Sequence, residues 1–427
     1  MLSYFSVQNF KSILDLTLDL SFAEGKAPNH YEESQILPFV GNEDRFVPVL
    51  ALYGANASGK TNVLQALFVF KRVITLGTEK RYHPNKLNHK YDSTTFEIGF
   101  YDKNRKYIYC LAYNQNGISH EALYRDNKDQ IIFEIKDNKC FFENMATPEY
   151  TVQRLEEIFR VECINEHQQQ WFTFFTRIAR GYIGLNNDIV TAWKYLIMSI
   201  EIYPENNVPL PYALEKLAGG DTPEKIAVAF EKITSILKKL DINITKLTWD
   251  RKYQPIEDAT KPLLPINDQS TTFFKPVNNI LIKDNIRSYH KDIDGNEVVF
   301  NFNEESEGTI TLASLLALCL YSLENGSTLC IDELDKSLHS RLLIEIVRMF
   351  KDKRYNKTDA QLVFTAHNTD VLDDDLMRIS EVGFINKTEK TGSTIKRISD
   401  FDGKRNVNNF RKQYLDGLFS GVPYPYI

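Results

Sequence analysis

One octapeptide limits the folds open to this 427-residue chain more than any other stretch: Gly54-Ala55-Asn56-Ala57-Ser58-Gly59-Lys60-Thr61. It satisfies G-x-x-x-x-G-K-[ST], in which backbone N–H groups cradle phosphates, a lysine reaches the β- and γ-phosphates and a hydroxyl meets Mg2+. Its flanks have the matching character. Val49-Leu50-Ala51-Leu52-Tyr53 reads as a buried strand, and Asn62 to about Val73 reads as a helix with Val63, Leu64, Leu67 and Phe70 on one face. The loop therefore opens a helix N-terminus, where unpaired N–H groups and the helix dipole both favour anions. The spacing predicts a nucleoside triphosphate site that uses Gly54, Asn56, Ala57, Ser58, Gly59, Lys60, Thr61 and Asn62.

Around this loop the pattern predicts an α/β fold. Apolar residues recur at every second position in Tyr4–Phe10 and Leu14–Leu20, as in half-buried antiparallel strands. A polar loop, Ala23–Glu43, leads to the P-loop strand. Strand-like segments return at Thr95–Phe100, Tyr107–Tyr113 and Gln130–Ile135, an antiparallel meander. From about Pro148 to Trp249 the character is helical. Asp221-Thr222-Pro223-Glu224 supplies a cap, a first-turn proline and an early acid, and Ile226, Phe230, Ile233, Leu237 and Leu240 follow at helical spacing. Lys252–Pro276, with Pro255, Pro262, Pro265 and Pro276, reads as a linker.

Strands resume at Ile280–His290 and Glu297–Phe302, joined across Asp294-Gly295. The segments Ile310–Leu323, Thr328–Ile331, Ser340–Phe350 and Gln361–Ala366 then alternate helix and strand, which implies a parallel sheet. The expected division is a first lobe over 1–145, a helical insertion and linker over 146–278, and a second lobe over 279–427.

Composition narrows the class without naming a partner. Hydrophobic content of 43% with 25% charged residues is ordinary for a globular chain. A net charge of −6 exerts no global pull on nucleic acid. Cys110, Cys140, Cys163, Cys319 and Cys330 are scattered and form no C-x-x-C, so they read as reduced, packed thiols rather than a disulfide frame or zinc site. Met1–Phe5 lacks the basic and apolar regions of a signal peptide. The run Ile310–Leu323 is short for a bilayer span and reads as a buried helix. A cytoplasmic protein with no membrane partner is expected.

Three further stretches carry chemistry. Thr328-Leu329-Cys330-Ile331-Asp332-Glu333 is a buried strand ending in two carboxylates, at the end where ligands bind in open α/β sheets. Asp332 is placed to join Thr61 at Mg2+, and Glu333 to orient and polarise an attacking water. His367 ends the next strand, where a polar side chain can reach a γ-phosphate, although a lone histidine is more often structural. Glu305-Ser306-Glu307-Gly308-Thr309 precedes the apolar helix, and by spacing alone it is an ordinary capped start. Two stretches read as decoys. Asn356-Lys357-Thr358-Asp359 spells a guanine-recognition pattern but precedes its strand, at the end away from the ligand. Asp370, Asp373, Asp374 and Asp375 fit an acid-rich helix start better than a metal or nuclease site.

Taken together, these stretches resemble an ABC-type ATPase head of the SMC, RecF and OLD group, among the AAA-labelled bacterial ATPases. The resemblance lies in the opening Val7–Ser12, the loop Gly54–Asn62, and the signature-like Glu305–Thr309 behind a His-containing hairpin, His290–Phe302. It extends to Ile331–Asp335, the following Lys336–His339, and Thr365–Asn368. The tail Tyr414–Pro423 is similar to that of a bacterial defence subgroup, of which PtuA of Septu and AriA of PARIS are examples. The resemblance covers roughly 1–140 and 280–427. It departs from the group at Arg81–Lys90, which has no glutamine, and at Ser380, where relatives often carry aspartate.

The resemblance implies ATP and Mg2+ as cofactors and a catalytic set of Lys60, Glu333 and His367. It also implies a head-to-tail homodimer or higher homo-oligomer, with Ser306 and Gly308 of one subunit meeting the nucleotide of another. Three functions compete. The first is an ATPase that senses or scaffolds in anti-phage defence and controls a separate effector, a nuclease encoded nearby. The 60 residues after His367 are few for a nuclease domain of its own. The second is a RecF-like DNA-repair clamp, which would draw on the basic clusters Lys71-Arg72, Lys103–Lys106 and Lys404–Lys412. The third is a structural subunit that binds ATP without appreciable turnover.

Overall fold

The alternating N-terminus forms two antiparallel strands that stand within the large sheet, four places from the P-loop strand counted from the first of them. The computed structural model describes all residues except 24–38, 41–43, 88–89, 103–104, 143, 183–185, 205–207, 221, 241, 256–274, 278–279, 402–407 and 420–427. Most of the Ala23–Glu43 loop, Asp221, the centre of the Lys252–Pro276 segment and the end of the Tyr414–Pro423 tail lie outside the described residues.

In chain order the elements are β1 (Leu2–Phe10), β2 (Ile13–Asp19), β3 (Phe39–Val40), β4 (Asp44–Arg45), β5 (Val49–Tyr53) and α1 (Lys60–Leu76). The meander follows: β6 (Thr94–Asp102), β7 (Arg105–Asn114), β8 (Gly117–Arg125), β9 (Ile131–Lys136) and β10 (Lys139–Phe141). Next come α2 (Val152–Cys163), α3 (Phe174–Gly181), α4 (Asn187–Met198), β11 (Ile200–Tyr203), α5 (Leu210–Ala218) and α6 (Pro223–Lys239). Then come β12 (Lys246–Pro255), β13 (Lys275–Val277), β14 (Ile280–Lys291), β15 (Glu297–Asn301) and α7 (Glu307–Asn325). The chain continues with β16 (Thr328–Ile331), α8 (Ser340–Lys351), β17 (Gln361–Thr365), β18 (Val382–Thr388), β19 (Gly392–Arg397) and α9 (Phe410–Leu415).

Two compact units result. One holds Met1–Glu205, Ser322–Leu334 and Val347–Ile427, and the other Asn206–Tyr321 with Asp335–Ile346. The first unit is built on a 13-stranded sheet in the order β10-β9-β8-β7-β6-β1-β2-β19-β18-β5-β17-β16-β11. From β18 to β11 the neighbours run parallel, and on the other side they run antiparallel. β5, β16 and β17 are buried along their whole length, as parallel interior strands must be. Helix α1 buries Val63, Leu64, Leu67 and Phe70, the face its periodicity predicts. Its Phe70 joins Phe5, Phe96 and Tyr109 in an aromatic cluster that continues to Phe175 of α3.

The second unit pairs α5 and α6 with a sheet in which β14 bonds β12 on one edge and β13 and β15 on the other. Helix α6 starts at Pro223 and buries Ile226, Phe230, Ile233 and Leu237, and Leu240 is its C-cap.

Several sequence expectations need correcting. The helical middle contains β11, a parallel neighbour of β16 within the large sheet. Strand β8 was not legible as a strand. The expected linker begins and ends in strands, at β12 and β13. The acidic stretch after His367 makes only a short 3-10 turn, Thr369–Val371, rather than a helix start. Helix α7 is longer than its apolar run. Among the described residues it is one helix long and apolar enough to cross a membrane, but 56% of its apolar window is buried inside the protein, as in a core helix. The fold is α/β, with a P-loop core sheet, an antiparallel β subdomain and inserted helices.

Candidate nucleotide site

The turn between β5 and α1 depends on two glycines that no other residue replaces without displacement. Gly59 has φ +105, and a Cβ there would stand 2.2 Å from Ser393 Oγ and 2.7 Å from Ser12 Oγ. Gly54 has φ +157, and its Cβ would meet the Ile385 carbonyl at 2.3 Å. Ala57 also takes a left-handed φ of 61. Gly59 is the N-cap of α1 and no side chain caps the helix, so its first N–H groups face the loop without a side-chain acceptor.

The loop is braced from both chain directions. Ser12, in the β1–β2 turn, accepts from Asn62 Nδ2 at 2.7 Å and lies 2.7 Å from Ser393 Oγ. Ser393, on β19, also stands 2.7 Å from the Ser58 carbonyl. Lys60 is buried and donates from Nζ to the carbonyls of Gly54 at 2.8 Å and Ala55 at 3.2 Å. It is thus coiled under the loop that it closes.

The two carboxylates emerge from the end of β16. Asp332 is 4% exposed, and its Oδ1 accepts from Thr365 Oγ1 on β17 at 2.5 Å. The same Thr365 hydroxyl oxygen accepts the Glu333 N–H at 2.8 Å. Glu333 stands at φ 50, a left-handed backbone that costs a non-glycine residue about 1 kcal/mol. Thr365 therefore orders both acidic positions. Glu333 Oε1 and His367 Nε2 are 3.9 Å apart, with each side chain 48% exposed. Tyr53 Oη, at the end of the P-loop strand, donates to the carbonyl of Asn368 at 2.9 Å and so fixes the segment that carries His367.

A cavity of about 830 Å³ is lined by Ser12, the run Asn56–Asn62, Asp332, Glu333, His367 and Lys387, all within the first unit. Of the predicted site residues, Asn56, Ala57, Ser58, Gly59, Lys60, Thr61, Asn62, Asp332, Glu333 and His367 line it together, while Gly54 makes the turn behind it. Sequence reasoning missed Ser12, Thr365, Lys387 and Ser393. Thr365 left a signal, as the one hydroxyl in the apolar strand Leu362-Val363-Phe364-Thr365-Ala366.

Ser306 and Gly308 belong to the second unit. Ser306 is exposed at the start of α7, where its Oγ accepts the Thr309 N–H at 3.1 Å. A Cβ on Gly308 would meet the Ser337 carbonyl at 2.8 Å, and Ser337 Oγ donates to Glu307 at 3.0 Å. The start of α7 and the turn Lys336–His339 thus interlock. Behind them, Glu305 accepts from Ser288 Oγ at 2.5 Å and lies 2.6 Å from His290 Nε2.

The guanine-like stretch proves structural. Asn356 is buried, with Nδ2 donating to Phe350 and Ala360 carbonyls and Oδ1 accepting the Ala360 N–H, while Thr358 Oγ1 donates to the Leu323 carbonyl.

Residues 49–151 and 183–374 match the AAA_21 family model, described as "AAA domain, putative AbiEii toxin, Type IV TA system". The chain belongs to the AAA_21 family. No curated protein matches it. Among solved structures it is similar to the SMC head domain from Thermotoga maritima, at 13% identity over 93% of this chain and 98% of that one, with a TM-score of 0.40. The recombination mediator protein RecF of the RecFOR pathway, with ATP, shows 11% identity over 87% and 94% of the two chains, at a TM-score of 0.35. A second RecF structure, titled RecF-ATPrS, gives 11% over 93% and 98%, at 0.38. Likenesses this distant say nothing of chemistry.

Proposed function

We propose that this AAA_21 chain binds ATP in the cavity beside the P-loop and hydrolyses it there. The observation that carries the reading is convergence: Lys60 and Thr61, Asp332 and Glu333, and His367 come from three separate stretches and line one cavity. Lys60 and the amides at the head of α1 bind the β- and γ-phosphates. Glu333, half-exposed beyond the strand end, accepts a hydrogen bond from the attacking water and polarises it. His367 meets the γ-phosphate from the neighbouring strand end. Thr61 and Asp332 offer hard oxygen donors that would hold Mg2+. The ion, when bound, neutralises charge on the phosphate chain.

The active unit in this reading is a head-to-tail homodimer. Glu333 and His367 are half-open to solvent, and the exposed hydroxyl of Ser306 with the adjoining Gly308 is suited to close the nucleotide site of a second copy. Hydrolysis would then report dimer state to a separate effector protein in a cytoplasmic defence system. The family description, which names a toxin of a toxin–antitoxin system, supports a role beside a second protein. The basic clusters offered to a DNA clamp are partly spent within the fold. Lys71 Nζ donates to the Ile200 carbonyl at 2.6 Å, and Arg105 pairs with Asp188 at 3.0 Å.

Turnover and light scattering test the proposal on the unmodified chain, Lys60→Ala and Glu333→Gln. Lys60→Ala is expected to lose ATP binding. Glu333→Gln should bind ATP, persist as a dimer and turn over roughly 10²- to 10³-fold more slowly. Equal, unimpaired turnover in both variants would show that the site lies elsewhere, and an inert unmodified chain would leave a structural subunit. A gel shift that needs ATP and fades steeply with salt would favour the DNA clamp over the effector.

A further inference from the structure

The cavity has a second cation that no motif announces. Lys387 lines it from β18, on the flank of β5 opposite β17 and β16. β18 runs parallel to β5 with Phe384 opposite Tyr53, so three residues later the strand has climbed to the level of the P-loop. There Lys387 lies directly across from Ser393 of β19. Directly opposed residues project on one face of a sheet, which puts Lys387 on the face of the serine that touches Ser58 and Ser12. Lys387 is exposed, and its ammonium makes no ion pair or side-chain hydrogen bond among the described residues. Apart from Lys60, it is the one lysine or arginine among the residues lining the cavity.

The position of Lys387 fixes which phosphates it can serve. Glu333 and His367 mark the γ-phosphate end, over β16 and β17. A phosphate chain laid along the loop from that end finishes, towards the nucleoside, over β18, where Ser12, Ser393 and Lys387 gather. We propose that Lys387 is a nucleotide-binding residue that holds the α- and β-phosphates from the flank opposite the catalytic carboxylate. This rests on the reading that the cavity takes ATP. The ammonium reaches the anion as a flexible point charge and gains a charge-assisted hydrogen bond at a partly covered rim.

Because ATP and ADP share those two phosphates, the contact serves both. Calorimetric titration of the full chain with ATP and with ADP is the test. Lys387→Ala is expected to weaken both by about tenfold, and Lys387→Arg, which keeps the charge on an exposed site, to recover most of that loss. In turnover the loss should fall on KM far more than on kcat. Unchanged affinity for both nucleotides in Lys387→Ala, beside an unmodified chain that binds them, overturns the assignment. So does a loss confined to ATP, which would put the lysine at the γ-phosphate. An unmodified chain that binds neither nucleotide overturns the ATP reading, and this inference with it.

Discussion

Two acidic sites, one in the parallel and one in the antiparallel half of the large sheet, are built in opposite ways. In the parallel half the central strands β5, β16 and β17 are buried along their whole length, and Asp332 and Glu333 appear just past the end of β16. In the antiparallel half Glu121 stands in the middle of β8 and is fully buried. Its two oxygens accept from Tyr109 Oη at 2.9 Å, Gln170 Nε2 at 2.6 Å and the N–H groups of Phe174 and Phe175, each at 2.9 Å. The last two are the opening N–H groups of α3, so a strand residue more than 50 positions away caps that helix. Asp332 and Glu333, beyond a strand end, face the cavity, whereas Glu121, in mid-strand, serves the helix that docks on the sheet.

The comparison predicts that damage to one half spares the function of the other. After Lys60→Ala, Gly59→Ala should do the most harm to binding. Its Cβ strikes Ser393 and Ser12 and its φ resists a side chain, so ATP affinity is expected to fall roughly 100-fold while the denaturation midpoint moves little. Glu121→Ala should do the reverse. It strips four donors of their acceptor inside the core and is expected to lower stability by roughly 3–5 kcal/mol, read as an earlier urea midpoint, with the ATP dissociation constant unchanged under native conditions. An altered dissociation constant in that variant would break the comparison.

A subtler test uses pH. Burial pushes the Glu121 carboxyl up to about 7 from 4.5, against the pull of its four donors. Between those values the folded chain keeps a proton that the unfolded chain has released. The contribution of Glu121 to stability is therefore complete below pH 4.5 and is lost as pH rises through about 7. The loss comes to about 3 kcal/mol. Urea midpoints for the unmodified chain and Glu121→Gln should diverge across this window, with the variant flatter. The smallest effect belongs to Tyr53→Phe, which removes the bond to the Asn368 carbonyl and should slow turnover only a few-fold, with binding intact.

The same contrast decides what could be read in advance. Strands β5, β16 and β17 were legible because their apolar runs, the glycine loop and the periodicity of α1 all point one way. Strand β8 was obscured by Ser119-His120-Glu121, whose polarity breaks alternation because Glu121 turns inward to meet α3. Strand β11 is only four residues between helices, and it becomes a strand through pairing with β16. The octapeptide, the paired acids and His367 were visible as candidates. Ser12, Ser393 and Lys387 were not, because their relation to the loop exists only once distant strands are adjacent.

That adjacency has a consequence for how the protein is made. Ser393 and Ser58 are separated by 335 positions, and Ser393 and Ser12 by 381. At about 5–20 residues per second of synthesis, the phosphate loop waits on the order of 20–70 s before its second brace has been translated. A nascent or prematurely released chain carries the whole octapeptide without the walls that shape it. In the proposed reading, competence for nucleotide is tied to completion of β19, so a half-made chain has no finished site with which to spend ATP.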